Sequence, residues 1–153
     1  MSEVKAVIFD RDGTINVDKG YVYKPEDLVF IKNIPQLIKK YNDLDIRVIV
    51  ITNQSGVARG YYTENDVREF HKFMNQRLMD EYSAHIDAFY YCPHHPEFTG
   101  ECDCRKPKIG LYKKAFFDFN LDSEDVIAYG DSKRDEEAAI KSGIKEFIYV
   151  SEV

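Results

Sequence analysis

A run dominated by β-branched residues constrains the fold of this chain more than any other feature. Residues 46–51 read Ile-Arg-Val-Ile-Val-Ile, which is typical of a strand buried on both faces of a parallel sheet. Shorter apolar runs at 4–9, 86–91, 126–129 and 147–150 indicate further strands. We therefore expect these runs to form one central sheet.

Amphipathic segments lie between these strands and predict helices. Pro35 suits the first turn of one helix, and Thr63 is positioned to cap a longer one. Two further helices are expected at 111–119 and at 135–142, the latter ended by Gly143. Strands that alternate with helices predict an α/β fold with a doubly wound (Rossmann-like) parallel sheet and a site at the carboxyl ends of its strands.

Length, composition and charge bound the class of protein. The 153 residues, 44% of them hydrophobic, suggest one domain over 1–153 that folds without disulfides. No apolar run approaches the roughly 18 residues of a membrane span, and no secretory signal is evident, so we expect a cytoplasmic protein without a membrane partner. The net charge of −6 disfavours nucleic acid as a partner. We expect a monomer.

A pair of aspartates follows the first strand directly, in the sequence Asp10-Arg11-Asp12-Gly13-Thr14. Two carboxylates separated by one residue point the same way on extended backbone, and they repel unless a cation or hydrogen bonds offset their charges. Two aspartates with this spacing, taken without their context, more often belong to a solvated loop. The apolar strand before it and Gly-Thr after it favour a nucleophile, Asp10, beside a proton donor, Asp12, with a bound divalent cation.

Further polar groups follow the other strands in order. Thr52 and Asn53 end the second strand and are able to hold phosphate oxygens. Lys106 lies in an Arg-Lys-Pro segment before a helix, and Asp131 follows the fourth strand, with Asp135 four residues on. Asp131 is an oxygen ligand of the kind that Mg²⁺ prefers. Each group is commonplace alone, but together they indicate one site.

This set resembles the four motifs of the haloacid dehalogenase (HAD) superfamily of phosphohydrolases, across essentially the whole chain. The resemblance implies a HAD-like fold and a phospho-aspartyl mechanism, in which Asp10 attacks phosphorus. We expect no cap domain, because a chain of 153 residues leaves no room for one. Asp12 would protonate the leaving oxygen and then activate water. The implied Mg²⁺ ligands are Asp10, the backbone carbonyl of Asp12, and Asp131. The implied phosphoryl-neutralising groups are Thr52, Asn53 and Lys106.

All three cysteines lie in the loop 92–104, which is rich in prolines and polar residues. Three reduced thiols are one interpretation, and a disulfide would leave one thiol over. We favour a structural zinc site that orders the loop and fixes the adjacent Arg105 and Lys106. The expected zinc ligands are Cys92, His94, Cys102 and Cys104. Spacing alone allows His95 to replace His94, and His71 and His85 are expected to be surface or packing residues.

The pattern C-x-H…C-x-C followed by Arg-Lys-Pro resembles a narrower group, the heptose bisphosphate and histidinol-phosphate phosphatases, and favours His94 as the ligand. Two segments, 10–22 and 52–60, resemble the heptose enzymes. The resemblance then implies removal of the 7-phosphate from D-glycero-D-manno-heptose 1,7-bisphosphate, a small phosphorylated sugar, on the route to nucleotide-activated heptose for lipopolysaccharide or surface glycans.

The expected substrate contacts lie in the loops 15–30, 53–60 and 92–106. Residues 18–21 form either a sugar-binding loop or an exposed turn, and Arg59 and Arg105 are candidates for the second phosphate, although Arg59 is also interpretable as a solvated charge. The full expected set is Asp18, Lys19, Gly20, Tyr21, Thr52, Asn53, Gln54, Ser55, Arg59, Arg105 and Lys106.

Three departures from the heptose enzymes leave alternatives open. Only seven residues separate His94 from Cys102, which is nearer the histidinol type. Ser132 follows Asp131 where heptose enzymes tend to have lysine, so Lys133 either substitutes or is solvated. The chain also ends soon after residue 150, without a common extension. The alternatives are a histidinol-phosphate or other small sugar-phosphate phosphatase, a phosphoryl-accepting signalling domain, and a zinc-dependent interaction module.

Overall fold

A computed structural model describes residues 3–153 and shows a five-stranded sheet in which all neighbouring strands are parallel. The strands are β1 (Ala6–Phe9), β2 (Arg47–Asn53), β3 (Ala88–Cys92), β4 (Val126–Gly130) and β5 (Glu146–Tyr149). The helices are α1 (Ile34–Asp43), α2 (Glu64–Tyr82), α3 (Pro96–Thr99), α4 (Gly110–Asp118) and α5 (Lys133–Lys141). The expected strands and long helices are all present, and the doubly wound α/β prediction is confirmed.

The strand order β3-β2-β1-β4-β5 positions the site. The chain moves outward from β1 through β2 and β3, and then returns to the other side of β1 for β4 and β5. The connections after β1 and β4 therefore leave towards opposite faces, which opens a crevice at the carboxyl ends of these two strands. Phe9 is paired with Tyr129, so Asp10 and Asp131 emerge next to that crevice.

Two apolar clusters cover the two faces of the sheet because side chains alternate along each strand. In β1, Val7 and Phe9 face one cluster, while Ala6 and Ile8 face the other. The first cluster includes Ile34, Ile38, Phe70, Met74 and Leu78 from α1 and α2. The second includes Leu111, Tyr112, Ala115, Ala138 and Ala139 from α4 and α5. The sheet thus holds the loops at its edge on a core that is packed on both sides.

Helix capping brings one further side chain to the site. Thr63 caps α2 as expected, in a reciprocal capping box with Asp66. Ser132 and Asp135 form the same arrangement at α5, which begins at Lys133. The cap holds the Asp135 carboxylate at the carboxyl edge of the sheet.

The carboxyl edge carries loops and very short helical segments. The loop 15–30 contains one 3₁₀ turn, Pro25–Asp27, and the loop 92–106 contains the four-residue α3. Val22 and Leu28 anchor the first loop in the core. Within residues 3–153 no separate cap covers this edge, and none of the helices combines the length and apolar character needed to cross a membrane.

Candidate active site

The polar groups singled out in the sequence meet around one cavity of about 440 Å³ at the carboxyl edge of the sheet. Every expected catalytic, magnesium and substrate-binding residue lines it except Lys19, which is exposed and lies outside the wall. The wall also contains four residues to which the sequence assigned no role there: Tyr62, Ser132, Arg134 and Asp135.

Lys106 is the central cation of the cavity, and the fold supplies all its partners. Its Nζ lies 2.9 Å from Asp10 Oδ1 and 2.7 Å from Asp135 Oδ1, and it donates to the Ile51 carbonyl at 2.8 Å. Burial opposes its charge, but the two carboxylates raise the pKa of Lys106 above its ordinary value. Lys106 is therefore charged and fixed before any ligand binds.

Asp10 is a buried carboxyl group in a crowded acidic environment. Burial raises the pKa of Asp10 to about 8 even though Lys106 lowers it, and the charge of Asp135 raises it further. Burial also raises the pKa of Asp131. A second cation beside these groups would favour their carboxylate forms.

The carboxyl oxygens of Asp10, Asp131 and Asp135 lie within 4.8 Å of one another, and oxygen donors of this kind suit Mg²⁺. Asp135 is already engaged with Lys106, the Asp131 N–H and the Ser132 N–H. Asp10 and Asp131 therefore fit the role of ligands better. Gly13 makes this approach possible, because its φ is +85° and a Cβ there would collide with the Asp131 carboxylate.

Asp12 is held by donors on both of its oxygens. Oδ1 accepts from Arg11 Nη2 at 2.8 Å and from Asn16 Nδ2 at 3.1 Å, and Oδ2 accepts from Gln54 Nε2 at 2.8 Å. The Tyr62 hydroxyl donates to Gln54 Oε1 at 2.5 Å, which fixes the orientation of that amide. Three residues thus fix the Asp12 carboxyl group through both of its oxygens.

Arg11 is the residue behind Asp12 to which the sequence assigned no role. It is fully buried, lies over the Phe70 ring at 4.7 Å, and donates to the Val22 carbonyl. Burial and the Arg11 charge lower the pKa of His71 to about 2, so its neutral ring accepts from Arg11. His71 stacks on Phe89 and is thus a packing residue, as expected. Strand alternation could have identified Arg11, because it points away from two site-facing aspartates.

Asn53 links the second strand to the lysine segment. Its side-chain amide donates to the Lys106 carbonyl at 3.2 Å and accepts from the Lys106 N–H at 2.9 Å. The Thr52 hydroxyl accepts from Gln54 Nε2 at 3.0 Å. Both residues line the cavity, and Asn53 in addition fixes the backbone that carries the central cation.

The cavity wall also carries three guanidinium groups, those of Arg59, Arg105 and Arg134, which we call the arginine cluster. None of the salt bridges between described residues involves them. Arg59 Nε and Arg105 Nη1 are buried without a hydrogen-bond partner in the described structure. Burial and then the charges of Arg134 and Arg59 lower the pKa of Arg105. Lys133 is exposed and does not line the cavity.

The loop 18–21 is a tight turn at the mouth of the cavity. Asp18 Oδ1 accepts from the Gly20 N–H at 2.9 Å, and Tyr21 has a positive φ of 50°. The Tyr21 ring meets the Tyr61 ring edge-on, with centroids 4.9 Å apart. The loop is therefore an exposed turn, and Asp18, Gly20 and Tyr21 of this turn line the cavity.

The three cysteines converge as a potential metal site. Cys92 Sγ lies 3.7 Å from Cys102 Sγ and 2.6 Å from Cys104 Sγ. Two sulfurs on a tetrahedral zinc ion would be about 3.8 Å apart, given Zn–S bonds of about 2.3 Å, so the Cys92–Cys102 pair is at that separation and the Cys92–Cys104 pair is closer. Burial raises the pKa of Cys92 even though the backbone N–H of His94 lowers it, whereas at Cys102 burial is outweighed by the backbone N–H groups of Arg105 and Cys104, which lower its pKa.

The expected histidine ligand does not lie with the three thiols. Among the described residues, the group of mutually close ligand atoms contains the three thiols and not the His94 ring. His95 has a different role, because its Nδ1 accepts from the Glu97 N–H and caps α3. The structure thus brings three of the four expected ligands together, while the alternative histidine, His95, caps α3.

Comparison with known proteins agrees with this site. A family model described as polynucleotide kinase 3 phosphatase matches residues 5–143, and the chain belongs to this phosphatase family of the HAD superfamily. A D-glycero-beta-D-manno-heptose-1,7-bisphosphate 7-phosphatase of Haemophilus ducreyi is 41% identical over 150 residues, covering 95% of this chain and 82% of that protein. The D-glycero-alpha enzyme of Campylobacter jejuni is 39% identical, covering 98% and 84%.

A solved structure is also similar. The D,D-heptose 1,7-bisphosphate phosphatase from B. bronchiseptica, complexed with magnesium and phosphate, superposes with a TM-score of 0.86 at 34% identity. The match covers 93% of this chain and 78% of that one. The resemblance based on the D-x-D-G-T motif is therefore confirmed.

Proposed function

We propose that this protein is a phosphomonoesterase that removes the 7-phosphate from D-glycero-D-manno-heptose 1,7-bisphosphate, in the synthesis of nucleotide-activated heptose. The main support for this function is the distribution of charge in the cavity. A single cavity joins a nucleophile that is paired with lysine to an arginine cluster without acidic partners. Such a cavity suits a substrate with two anionic groups, and relatives named for this reaction support it.

In this proposal Asp10 is the nucleophile. A carboxylate oxygen of Asp10 forms a bond to phosphorus while the bond from phosphorus to the sugar oxygen breaks, and an aspartyl phosphate results. Lys106, held 2.9 Å from Asp10, neutralises charge on the transferring phosphoryl oxygens together with Thr52 and Asn53. Asp135 keeps Lys106 in place.

Asp12 is the proposed acid and base. In the first step its carboxyl group gives a proton to the leaving sugar oxygen. In the second step its carboxylate takes a proton from the water that attacks phosphorus, while the bond from phosphorus to the Asp10 oxygen breaks and inorganic phosphate is released. The contacts from Arg11, Asn16 and Gln54 hold the Asp12 carboxyl group in position for both steps.

We propose that Asp10, the backbone carbonyl of Asp12, and Asp131 hold Mg²⁺. When bound, the ion supplies positive charge that favours the carboxylate form of Asp10 and offsets the phosphoryl charge. The convergence of Asp10 and Asp131 supports this assignment, and magnesium is present in the similar structure.

The arginine cluster is the proposed site of the second phosphate. Guanidinium groups with unpaired N–H donors recognise phosphate, and this cluster has no carboxylate of its own to compete. The loop 18–21, with Gln54 and Ser55, would contact the sugar hydroxyls. The same positive charge disfavours histidinol phosphate, whose amine is a cation at neutral pH.

We propose that zinc is bound by Cys92, Cys102, Cys104 and His94, with the His94 ring completing the tetrahedron. Zinc analysis of the purified protein tests this assignment. His94→Ala should lose the ion, while His95→Ala, the matched control, should keep it. Retention by His94→Ala with loss by His95→Ala would assign the ligand to His95.

We further propose that residues 1–153 form one HAD-like domain, with 92–104 as its zinc loop, that acts as a monomer in the cytoplasm. A reducing compartment would keep the three thiols available to zinc. Sedimentation equilibrium of the zinc-loaded protein tests the oligomeric state.

A substrate panel with Mg²⁺ tests the main proposal. We expect kcat/KM to be highest for a heptose 1,7-bisphosphate, with the α and β anomers measured separately, and lower for heptose 7-phosphate and histidinol phosphate. Preference for histidinol phosphate would overturn the assignment. A long-lived aspartyl phosphate without turnover would instead indicate the signalling class.

A further inference from the structure

Phe98 is an exposed aromatic residue that the proposed reaction does not use. It lies on α3 within the zinc loop, is 53% exposed, and does not line the cavity. Its ring contacts a charged group, because Arg59 Cζ lies 5.1 Å from the ring centroid, and it also meets the His95 ring edge-on at 5.6 Å. At that distance a guanidinium and a ring attract each other.

Arg59 has a second aromatic neighbour from a different loop. Its Cζ lies 5.8 Å from the centroid of the Tyr21 ring, which lines the cavity. Rings from the loops 15–30 and 92–106 thus contact the same guanidinium. Among the described residues, no side-chain hydrogen bond or salt bridge orients Arg59, and its buried Nε has no partner.

Aromatic neighbours orient a guanidinium without neutralising it. A carboxylate partner would occupy the N–H donors and cancel the charge that a phosphate needs. A ring contacts the face of the planar group and leaves its edge donors free. Arg59 is therefore held in place and still able to bind an anion.

We propose that Phe98 is a positioning residue that, with Tyr21, holds Arg59 towards the cavity for the second phosphate. The zinc loop then acts on specificity as well as on the placement of Lys106. This inference rests on the proposed function, because it concerns the phosphate that is not removed.

The test compares two substrates that share the scissile group. Heptose 1,7-bisphosphate and heptose 7-phosphate differ only in the second phosphate. Phe98→Leu should raise KM for the bisphosphate by about two- to five-fold, the range of an exposed cation–π contact, and leave its kcat and both constants for the 7-phosphate unchanged. Phe98→Tyr keeps a ring and should behave as wild type. Phe117→Leu, at an 87% exposed aromatic on α4, is the control for loss of a surface ring.

A double-mutant cycle separates positioning from a structural effect. If Phe98 acts through Arg59, then adding Phe98→Leu to Arg59→Gln should cause no further rise in KM for the bisphosphate. Zinc content, measured for each variant, should equal that of wild type.

The outcomes distinguish the two proposals. An unchanged KM in Phe98→Leu, an equal loss with both substrates, or a full effect in the Arg59→Gln background would each overturn the role of Phe98 alone. A wild-type enzyme that does not prefer the bisphosphate would overturn the proposed function and this inference with it.

Discussion

Two groups of charges line the same cavity and differ in how the fold partners them. Lys106 lies between Asp10 and Asp135, at 2.9 and 2.7 Å, and is almost fully buried. The arginine cluster is more exposed to the cavity and has no carboxylate partner among the described residues. The fold thus pairs Lys106 with carboxylates of the chain, while the arginine cluster has none among the described residues.

Charges that are paired within the fold and charges that are unpaired suit different roles, the first in chemistry and the second in ligand binding. Charges that are already paired and hydrogen-bonded need little rearrangement when charge develops in a transition state. Unpaired cations around a cavity gain most when an anionic ligand arrives, and they therefore contribute to affinity and selectivity. Substitutions around Lys106 should therefore lower turnover or stability, whereas substitutions in the arginine cluster should raise KM.

The largest effect is expected from Asp10→Asn. The amide is a very poor nucleophile, so turnover should fall by at least about 10³-fold. Circular dichroism and zinc content should stay as in wild type, because the substitution is nearly isosteric. Turnover close to the wild-type rate would refute the role of Asp10.

The next effect is on stability and comes from Lys106→Met. Removing this cation leaves Asp10 and Asp135 as neighbouring buried acids without compensation, and breaking a buried pair costs about 3–5 kcal/mol. Urea unfolding measures the change in free energy of unfolding. Arg134→Gln is the matched variant and should leave that free energy nearly unchanged, since it breaks no ion pair. Equal stability losses in the two variants would show that the fold does not partner Lys106 and Arg134 differently.

Cys102→Ser examines the loop that joins the two groups of charges. Loss of one thiolate should weaken zinc binding by at least about 10-fold, and activity should fall indirectly because Arg105 and Lys106 follow the loop. Metal analysis after dialysis and steady-state kinetics measure both effects. A full zinc complement in the variant would count against a tetrahedral site that includes Cys102.

The smallest effect is expected from Arg134→Gln. Loss of one charged hydrogen-bond donor should raise KM for the bisphosphate by about 10-fold, with kcat and the constants for heptose 7-phosphate unchanged. Lys133→Gln removes the neighbouring exposed charge and should alter neither substrate. A similar rise in KM in both variants would indicate general electrostatic attraction instead of a defined phosphate site.

The sequence predicted the sheet and most of the site because those signals are local. β-Branched runs marked the strands, and each functional motif follows a strand end, where a parallel sheet gathers side chains. Lys19 is the exception in the loop 18–21. Its neighbours line the cavity while it does not, because side-chain direction within a tight turn depends on backbone angles that no periodicity reveals.

Long-range charge partners were not predictable in the same way. Arg11 and Arg134 look like ordinary charged residues in the sequence, and Asp135 had no assigned role. Only the packed chain shows that Arg11 is buried behind Asp12 and that Asp135 holds Lys106. It also shows that Arg134, and not Lys133, lines the cavity.

Periodicity and short spacing in the sequence were enough to predict the succession of strands and helices along the chain, the phosphatase motifs and the clustering of the three cysteines in one loop. Packing sets which of the charged groups have a partner of opposite charge and which have none among the described residues. Asp10, Arg59, Lys106 and Arg134 are far apart along the chain. The distances between them depend on the order of strands within the sheet and on helix packing. At a few ångströms, these distances set the electrostatic energy of each charge.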